Sequence, residues 1–395
     1  MNILHIVRTL EPGGLERVVR DLARGLHARG HHCFLACLYE PGSWYMPEEW
    51  DGVWAGNDRC GLRRNDGGLA RARNPVVARE SRESSRIRKS AITRMFSGNT
   101  LHQFACEQGI EAIHSHNPEP HRAAAWLARR TRLPLIHTKH GRNYPDRWRR
   151  VLLNRWLNRA ARSVVAVSEN VVQVARDIER VPQHKLHLVR NGVDAARYVP
   201  ADRDRRSAAR QRLGLDADAF VIGSVGRLAP EKHYGLLIRA FAKLAPKRLN
   251  MDARLLLVGA GPEEARLKNL ASELGVNERV VFAGNQDDLR PYYAAMDVFA
   301  LSSLTEGMSL TLLEAGASGL ACVATDVGGN AEIVEHERTG LIVPSDDEAA
   351  LTNALDRLCA DGDARRNMGA AARQRIAARF SLEAMVTAYE TLYEA

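Results

Sequence analysis

The chain contains no run approaching the ~20 consecutive apolar residues a membrane span needs, so no transmembrane helix is expected. Its start, Met-Asn-Ile-Leu-His-Ile-Val-Arg, lacks the basic-then-apolar layout of a secretory signal and reads as a first β-strand. The expectation is a soluble, cytoplasmic protein. Six cysteines scattered over 395 residues make no disulfide framework. Cys33 and Cys37 follow His31 and His32, but four-residue spacing on a buried strand does not converge side chains on one ion. Free core cysteines are the expectation there. Repeats and low-complexity tracts are absent, and 30 glycines with 15 prolines are ordinary usage. A chain of this length, 45% hydrophobic, is too long for one core and implies two or three domains.

The first half is short of acidic residues. The formal net charge is +9 although Asp and Glu number 47, so the basic excess is local. Ten arginines and one lysine crowd the span Arg59–Arg94, and a second cluster runs Arg142, Arg147, Arg149, Arg150, Arg155, Arg159, Arg162. Such asymmetry points to an anionic partner: phosphate, lipid head groups or nucleic acid.

Short β-rich runs alternate with helical segments, the pattern of parallel sheets flanked by helices. Strands are expected at Ile3–Val7, Cys33–Leu38, Ala112–His114, Leu135–Thr138 and Ser163–Val167, then at Phe220–Val225, Arg254–Val258, Val280–Phe282, Val298–Leu301, Cys322–Thr325 and Gly340–Val343. About Tyr45 to Thr100 little periodicity survives, leaving room for one strand and a mobile basic loop. A composition break follows Asn191-Gly192-Val193-Asp194, and the polar stretch Tyr198–Arg212 reads as an interdomain linker. After Ser381, an N-cap residue, Leu382, Met385, Val386, Tyr389, Leu392 and Tyr393 share one face of a final helix.

The most informative stretch is Ser302 to Ala315, which follows a strand and opens a helix through a glycine-containing turn. Free N–H groups at such an N-terminus bind phosphate. Glu306 and Glu314 stand eight residues apart, roughly 80° past two helical turns, so both can touch one extended ligand. Spacing alone leaves two exposed helix glutamates equally open. Upstream, Gly223-Ser-Val-Gly226-Arg227-Leu-Ala-Pro-Glu-Lys232 places two cations where both can reach a diphosphate. Val258-Gly259-Ala260-Gly261-Pro262 lacks the third glycine of a dinucleotide fingerprint and reads as a structural turn. Gly13 and Gly14 let the backbone approach a ligand closely after the first strand. His114 and His116, two apart on a strand, face the same side. Asp202-x-Asp204 and Asp216-x-Asp218 read as solvated charge and cap positions. The segment Trp148–Arg159 mixes a basic face with two tryptophans, which suits either an anionic membrane surface or packing on the sheet.

Glu306-x7-Glu314 within Thr305-Glu-Gly-Met-Ser-Leu-Thr-Leu-Leu-Glu-Ala315 resembles the signature of retaining glycosyltransferase family 4, of the two-domain GT-B fold. The resemblance covers nearly the whole chain outside Tyr45–Thr100. It implies an α/β protein of two Rossmann-like domains facing a central cleft, with residues 1–195 binding acceptor, 196–375 binding donor, and a helix in 376–395 crossing back. By the same resemblance Glu306 contacts donor-sugar hydroxyls and Glu314 the ribose. The backbone from Gly307 through Met308, Ser309 and Leu310 holds diphosphate or sugar, and Arg227 and Lys232 stabilise the departing diphosphate. Gly13 and Gly14 face the donor diphosphate and acceptor, and His116 contacts the donor sugar. His140-Gly141 lines the acceptor side, while Ser168-Glu169 and Asn191–Asp194 match further landmarks. Met308-Ser309 departs from the family's aromatic or glycine-rich turn, which bears on sugar preference.

The implied activity is hexosyl transfer with retention from a UDP- or GDP-type donor, needing no metal or other cofactor. Glu306 is cast as orienting the sugar rather than attacking it. The implied acceptor is a glycan or lipid-linked intermediate of envelope or exopolysaccharide synthesis, met at the inner face of the plasma membrane through a basic N-terminal domain. Nucleic acid is not an expected partner. The alternatives are a basic membrane- or nucleic-acid-binding protein without transfer activity, a GT-B sugar-nucleotide epimerase, which Glu-x7-Glu disfavours, and a NAD enzyme.

Overall fold

Each apolar run is followed by a segment of helical period, and a strand–helix–strand unit returns its second strand parallel to the first. The computed structural model describes residues 1–11, 13–39, 46–56, 99–141, 147–244 and 252–395. Strands β1 (Asn2–Val7), β2 (His32–Cys37), β3 (Gly52–Ala55), β4 (Ala112–His116), β5 (Leu135–Lys139), β6 (Ser163–Ala166) and β7 (Leu186–Leu188) form one sheet in the order β3-β2-β1-β4-β5-β6-β7. A second sheet, ordered β10-β9-β8-β11-β12-β13, is built from β8 (Phe220–Val225), β9 (Ala253–Val258), β10 (Val280–Phe282), β11 (Val298–Leu301), β12 (Ala321–Thr325) and β13 (Gly340–Val343). Every pairing within both sheets is parallel. Strand order reverses between β1 and β4 in one sheet and between β8 and β11 in the other. In doubly wound folds, ligands bind at that crevice, beyond the carboxyl ends of the strands.

Two expectations change. Leu186–Leu188 is a strand that its three residues, with His187 at the centre, did not announce. Within Tyr198–Arg212 a helix, Arg203–Arg212, replaces the expected linker. Its arginines account for this: Arg206 and Arg210 both pair with Asp297, whose second oxygen also accepts the Val221 N–H at 2.8 Å. Asp202 caps that helix by accepting the Arg205 N–H at 2.8 Å, while Asp216 and Asp218 are exposed. Gly52–Ala55 fills the place left for a strand after Tyr45, and the arginine-rich span 59–94 lies outside the described residues. Cys33 and Cys37 are buried free thiols, pushed up to about 12 by burial.

The final helix, Leu382–Glu394, packs on helix Gly14–His27 of the first sheet. A Cβ on Gly25 would meet Val386 Cγ2 at 2.4 Å, so glycine permits this approach. Tyr393 and Tyr389 seal it by hydrogen bonding His114 (2.6 Å) and Thr138 (3.0 Å), neighbours in the centre of that sheet. Among the described residues no helix is long and apolar enough to cross a membrane.

Candidate active site

The segments singled out by motif fall at the two switch points. Gly13 and Gly14 follow β1, His116 ends β4, Arg227 follows β8, and Glu306 follows β11. In the second sheet, the turn Pro230–Lys232 brings Lys232 Nζ to 2.6 Å from Glu306 Oε1. Ser303 Oγ donates to the same oxygen at 2.6 Å, and Glu306 keeps only 10% of its side chain exposed. An ammonium and a hydroxyl thus fix this carboxylate in a charge-assisted cluster. Thr325 Oγ1 donates to the Ser303 carbonyl at 2.7 Å and holds the loop to β12. Arg227 does not join this cluster. It pairs with Glu231 and remains 63% exposed. Gly259, at φ +135, packs under the Gly226 carbonyl, so Val258–Pro262 is the buttress of the Arg227 loop.

Helix formation starts later than the sequence pattern suggested. The chain from Ser302 to Ser309 is irregular, and the helix spans Leu310–Ala317, with Ser309 Oγ accepting the Leu312 N–H. The angular offset calculated for a continuous helix between Glu306 and Glu314 therefore does not apply. Gly307 is held away from helical geometry by packing: a Cβ there would lie 1.8 Å from the His140 carbonyl oxygen. Its own carbonyl accepts the Gly329 N–H at 2.8 Å. Met308 is buried and its carbonyl accepts from Asn191 Nδ2 at 3.1 Å. The loops of the two sheets meet at these points.

Glu314 is a buried carboxylate rather than an exposed one. Tyr293 donates to its Oε2 at 2.7 Å, while Tyr198 (3.0 Å) and Arg17 both donate to Oε1. Arg17 comes from the first sheet's leading helix, so the ion pair links the two halves. Burial, then the adjacent Glu314 charge, push the Tyr198 and Tyr293 phenols above their ordinary range. Arg17 lay in plain sight within Gly13-Gly14-Leu15-Glu16-Arg17, but nothing local assigned its partner. The two tyrosines carry no motif signal at all. Beside Gly13 lies Glu16, whose carboxyl is raised to about 7 by burial; Arg227 across the cleft acts in the opposite sense.

His116 is fully enclosed. Its Nδ1 is 3.1 Å from His140 Nε2 and its Nε2 is 3.2 Å from His5 Nδ1. Burial lowers all three, His5 and His140 to about 3, so the imidazoles are neutral at pH 7. The His114 and His116 rings lie 4.0 Å apart, on the same side as their spacing required. His5, His114 and His116 offer ring nitrogens within 4.8 Å of one another, close enough for one ion. Hydrogen bonds to Tyr393, Thr138, His5 and His140 already engage both nitrogens of His114 and His116, and an ion would have to displace them. Asn117, next along the chain, adopts φ +68, a strained value for a non-glycine residue, and its Oδ1 accepts the His140 N–H at 3.2 Å. The strand end bearing His116 and the loop bearing His140 are tied together by this bond.

Two doubly wound parallel sheets, with the glycine, cation and carboxylate motifs at their switch points, have the architecture of the GT-B fold. Residues 12–197 match the family model described as Glycosyltransferase Family 4, and 205–375 match that of Glycosyl transferases group 1. The chain is 32% identical over 319 residues to a D-inositol 3-phosphate glycosyltransferase of Corynebacterium efficiens, covering 75% of this chain and 74% of the relative. It is 27% identical over 312 residues to the Escherichia coli UDP-Gal:alpha-D-GlcNAc-diphosphoundecaprenol alpha-1,3-galactosyltransferase, covering 77% and 80%. Anabaena HepE, solved with UDP-glucose, has the same fold, at TM-score 0.81 and 22% identity over 100% of both chains. The protein belongs to glycosyltransferase family 4, the group 1 glycosyl transferases.

Proposed function

We propose that this protein transfers a hexose, with retention at the anomeric carbon, from a UDP- or GDP-type nucleotide sugar. The acceptor in this reading is a lipid-linked or polysaccharide intermediate of envelope or exopolysaccharide synthesis. Residues 1–195 take the acceptor, 196–375 the donor, and 376–395 return to the first unit. The observation that carries the reading is the Lys232–Glu306–Ser303 cluster at the β8/β11 switch point, roofed by Gly307 against His140. A carboxylate already held by an ammonium and a hydroxyl suits accepting bonds from sugar hydroxyls better than attacking carbon. Lys232, Arg227 and the amides from Gly307 to Leu310 supply positive potential for the leaving diphosphate. The ring nitrogens of His116 then serve a sugar hydroxyl by exchanging His5 or His140 as partner. Glu314 serves the ribose by sharing the bonds now made to Arg17 and Tyr198. The E. coli relative is named for transfer from UDP-Gal to a diphosphoundecaprenol-linked sugar, which supports both the donor and acceptor classes.

The test combines a thermal-shift screen of nucleoside-diphosphate sugars with transfer assays. One donor should raise the melting temperature, and Glu306→Ala should lose transfer by about 100-fold or more while keeping its fold. Unchanged turnover in that variant would sink the assignment. Because the cations named above offset the diphosphate charge, EDTA should leave transfer unchanged. Loss of activity on chelation, restored by added divalent metal, would count against the metal-free reading.

A further inference from the structure

Eight large apolar side chains stand exposed among the described residues, and four of them lie on the single helix Trp148–Asn158. Trp148, Leu152 and Trp156 are 65%, 51% and 49% exposed. At i, i+4 and i+8 they form one stripe along the helix, roughly 12 Å long at 1.5 Å per residue. The opposite face fixes this orientation. There Asn154 and Asn158 donate to the buried Glu179 at 2.8 and 3.0 Å, while Arg155, at the edge of the stripe, donates to the Ile178 carbonyl at 2.7 Å. Rolling the helix to bury the tryptophans would break that polar set, so the stripe is held toward solvent.

The neighbouring helix Pro118–Thr131 adds charge of one sign. Arg129 stacks 4.0 Å over the Trp156 ring, and Arg130 lies 5.7 Å from the Trp126 ring. With Arg122 these side chains line an open pocket of about 340 Å³. The helix Trp148–Asn158 contains no acid, and the one acid of Pro118–Thr131, Glu119, is engaged by Tyr39 and Arg8 at the far end. A basic surface with an apolar line through it matches the interface of an anionic bilayer, where arginines meet phosphate head groups and tryptophans sit at head-group depth. A nucleic-acid partner would satisfy the arginines but leave Leu152 wet.

We propose that the face formed by Trp148, Leu152, Trp156, Arg122, Arg129 and Arg130 docks this protein on an anionic phospholipid membrane. The proposal does not depend on the transfer reaction, because docking is read without donor or acceptor. Co-sedimentation of the full chain with phosphatidylcholine vesicles, with and without phosphatidylglycerol, tests it. Binding is expected only with phosphatidylglycerol, with a blue shift in tryptophan emission. It should weaken by about tenfold in Trp148→Ser/Trp156→Ser and in Arg129→Glu/Arg130→Glu, at unchanged melting temperature, and donor-induced thermal shifts should match wild type. Absence of wild-type binding, full binding by both variants, or displacement of the vesicles by duplex DNA at low concentration would each overturn it. Should one double variant melt early, Leu152→Ser alone, fully on the exposed stripe, must still weaken binding; undiminished binding would overturn the proposal as well.

Discussion

Glu306 and Glu314 share a motif but not an environment. Glu306 sits on an irregular loop, held by Lys232 and Ser303, whereas Glu314 is on a helix, enclosed by Tyr293, Tyr198 and Arg17. Between them Gly307 has no room for a side chain. Gly307→Ala should force the His140 carbonyl away and displace Glu306 by a fraction of an ångström or more. Misplacement on that scale costs transfer about 100-fold. Kinetics of Gly307→Ala beside wild type would check this, and a variant with normal turnover would show that the loop contact carries no positional information. The motif and its order were legible in the sequence, whereas the helix start at Ser309 was not. The partners were not, because Arg17 and Glu314 stand 297 residues apart and a local window contains no information about contacts at that range.

At the level of elements, a buried ion pair ties the end of β5 to the helices behind it. Lys139 Nζ is 2.7 Å from Glu179 Oε1, both side chains are almost fully enclosed, and Asn154 and Asn158 complete the carboxylate's bonds. Removing one partner leaves an uncompensated charge, so Glu179→Leu should cost about 3–5 kcal/mol. Lys139→Met combined with Glu179→Leu should recover part of that loss. Urea denaturation of the single and double variants decides it; strictly additive costs would exclude the coupling. The same logic explains the misread linker. A polar, arginine-rich stretch has the composition of a connector, and only the placement of Asp297, just before β11, turns Arg206 and Arg210 into anchors for a helix. Strands such as β1, β8 and β11 were legible because continuous apolar runs are what parallel strands with both faces covered require.

Across the whole molecule, five buried histidines (His5, His114, His116, His121, His137) and the partly buried His140 are held below their ordinary range by desolvation, His5, His121 and His140 to about 3. A folded-state value below the unfolded one means stability present in full above about pH 6.5 and lost as pH falls toward 3. Glu16 acts in the opposite direction: raised from 4.5 to about 7, it contributes stability at low pH that is lost as pH rises through that window. Six groups outweigh one, so the melting temperature should climb steeply between pH 5 and about 7. A flat profile over that range would show that these imidazoles are solvated or protonated in the native state.

By itself the sequence determined the alternation of strands and helices, most strand positions, the caps at Ser381 and Asp202, and the order of the glycine, cation and carboxylate motifs. These are properties of short windows: side-chain period, backbone freedom at glycine and local hydrogen bonding. Only the tertiary structure decided which charges meet. Packing two sheets and a returning helix brought Arg17 to Glu314, Lys232 to Glu306, and Tyr393 to His114. It also left Arg227 on a surface pair with Glu231 and turned Trp148, Leu152 and Trp156 outward. Such pairings arise where burial removes water as the competing partner, and burial is settled by the whole chain at once.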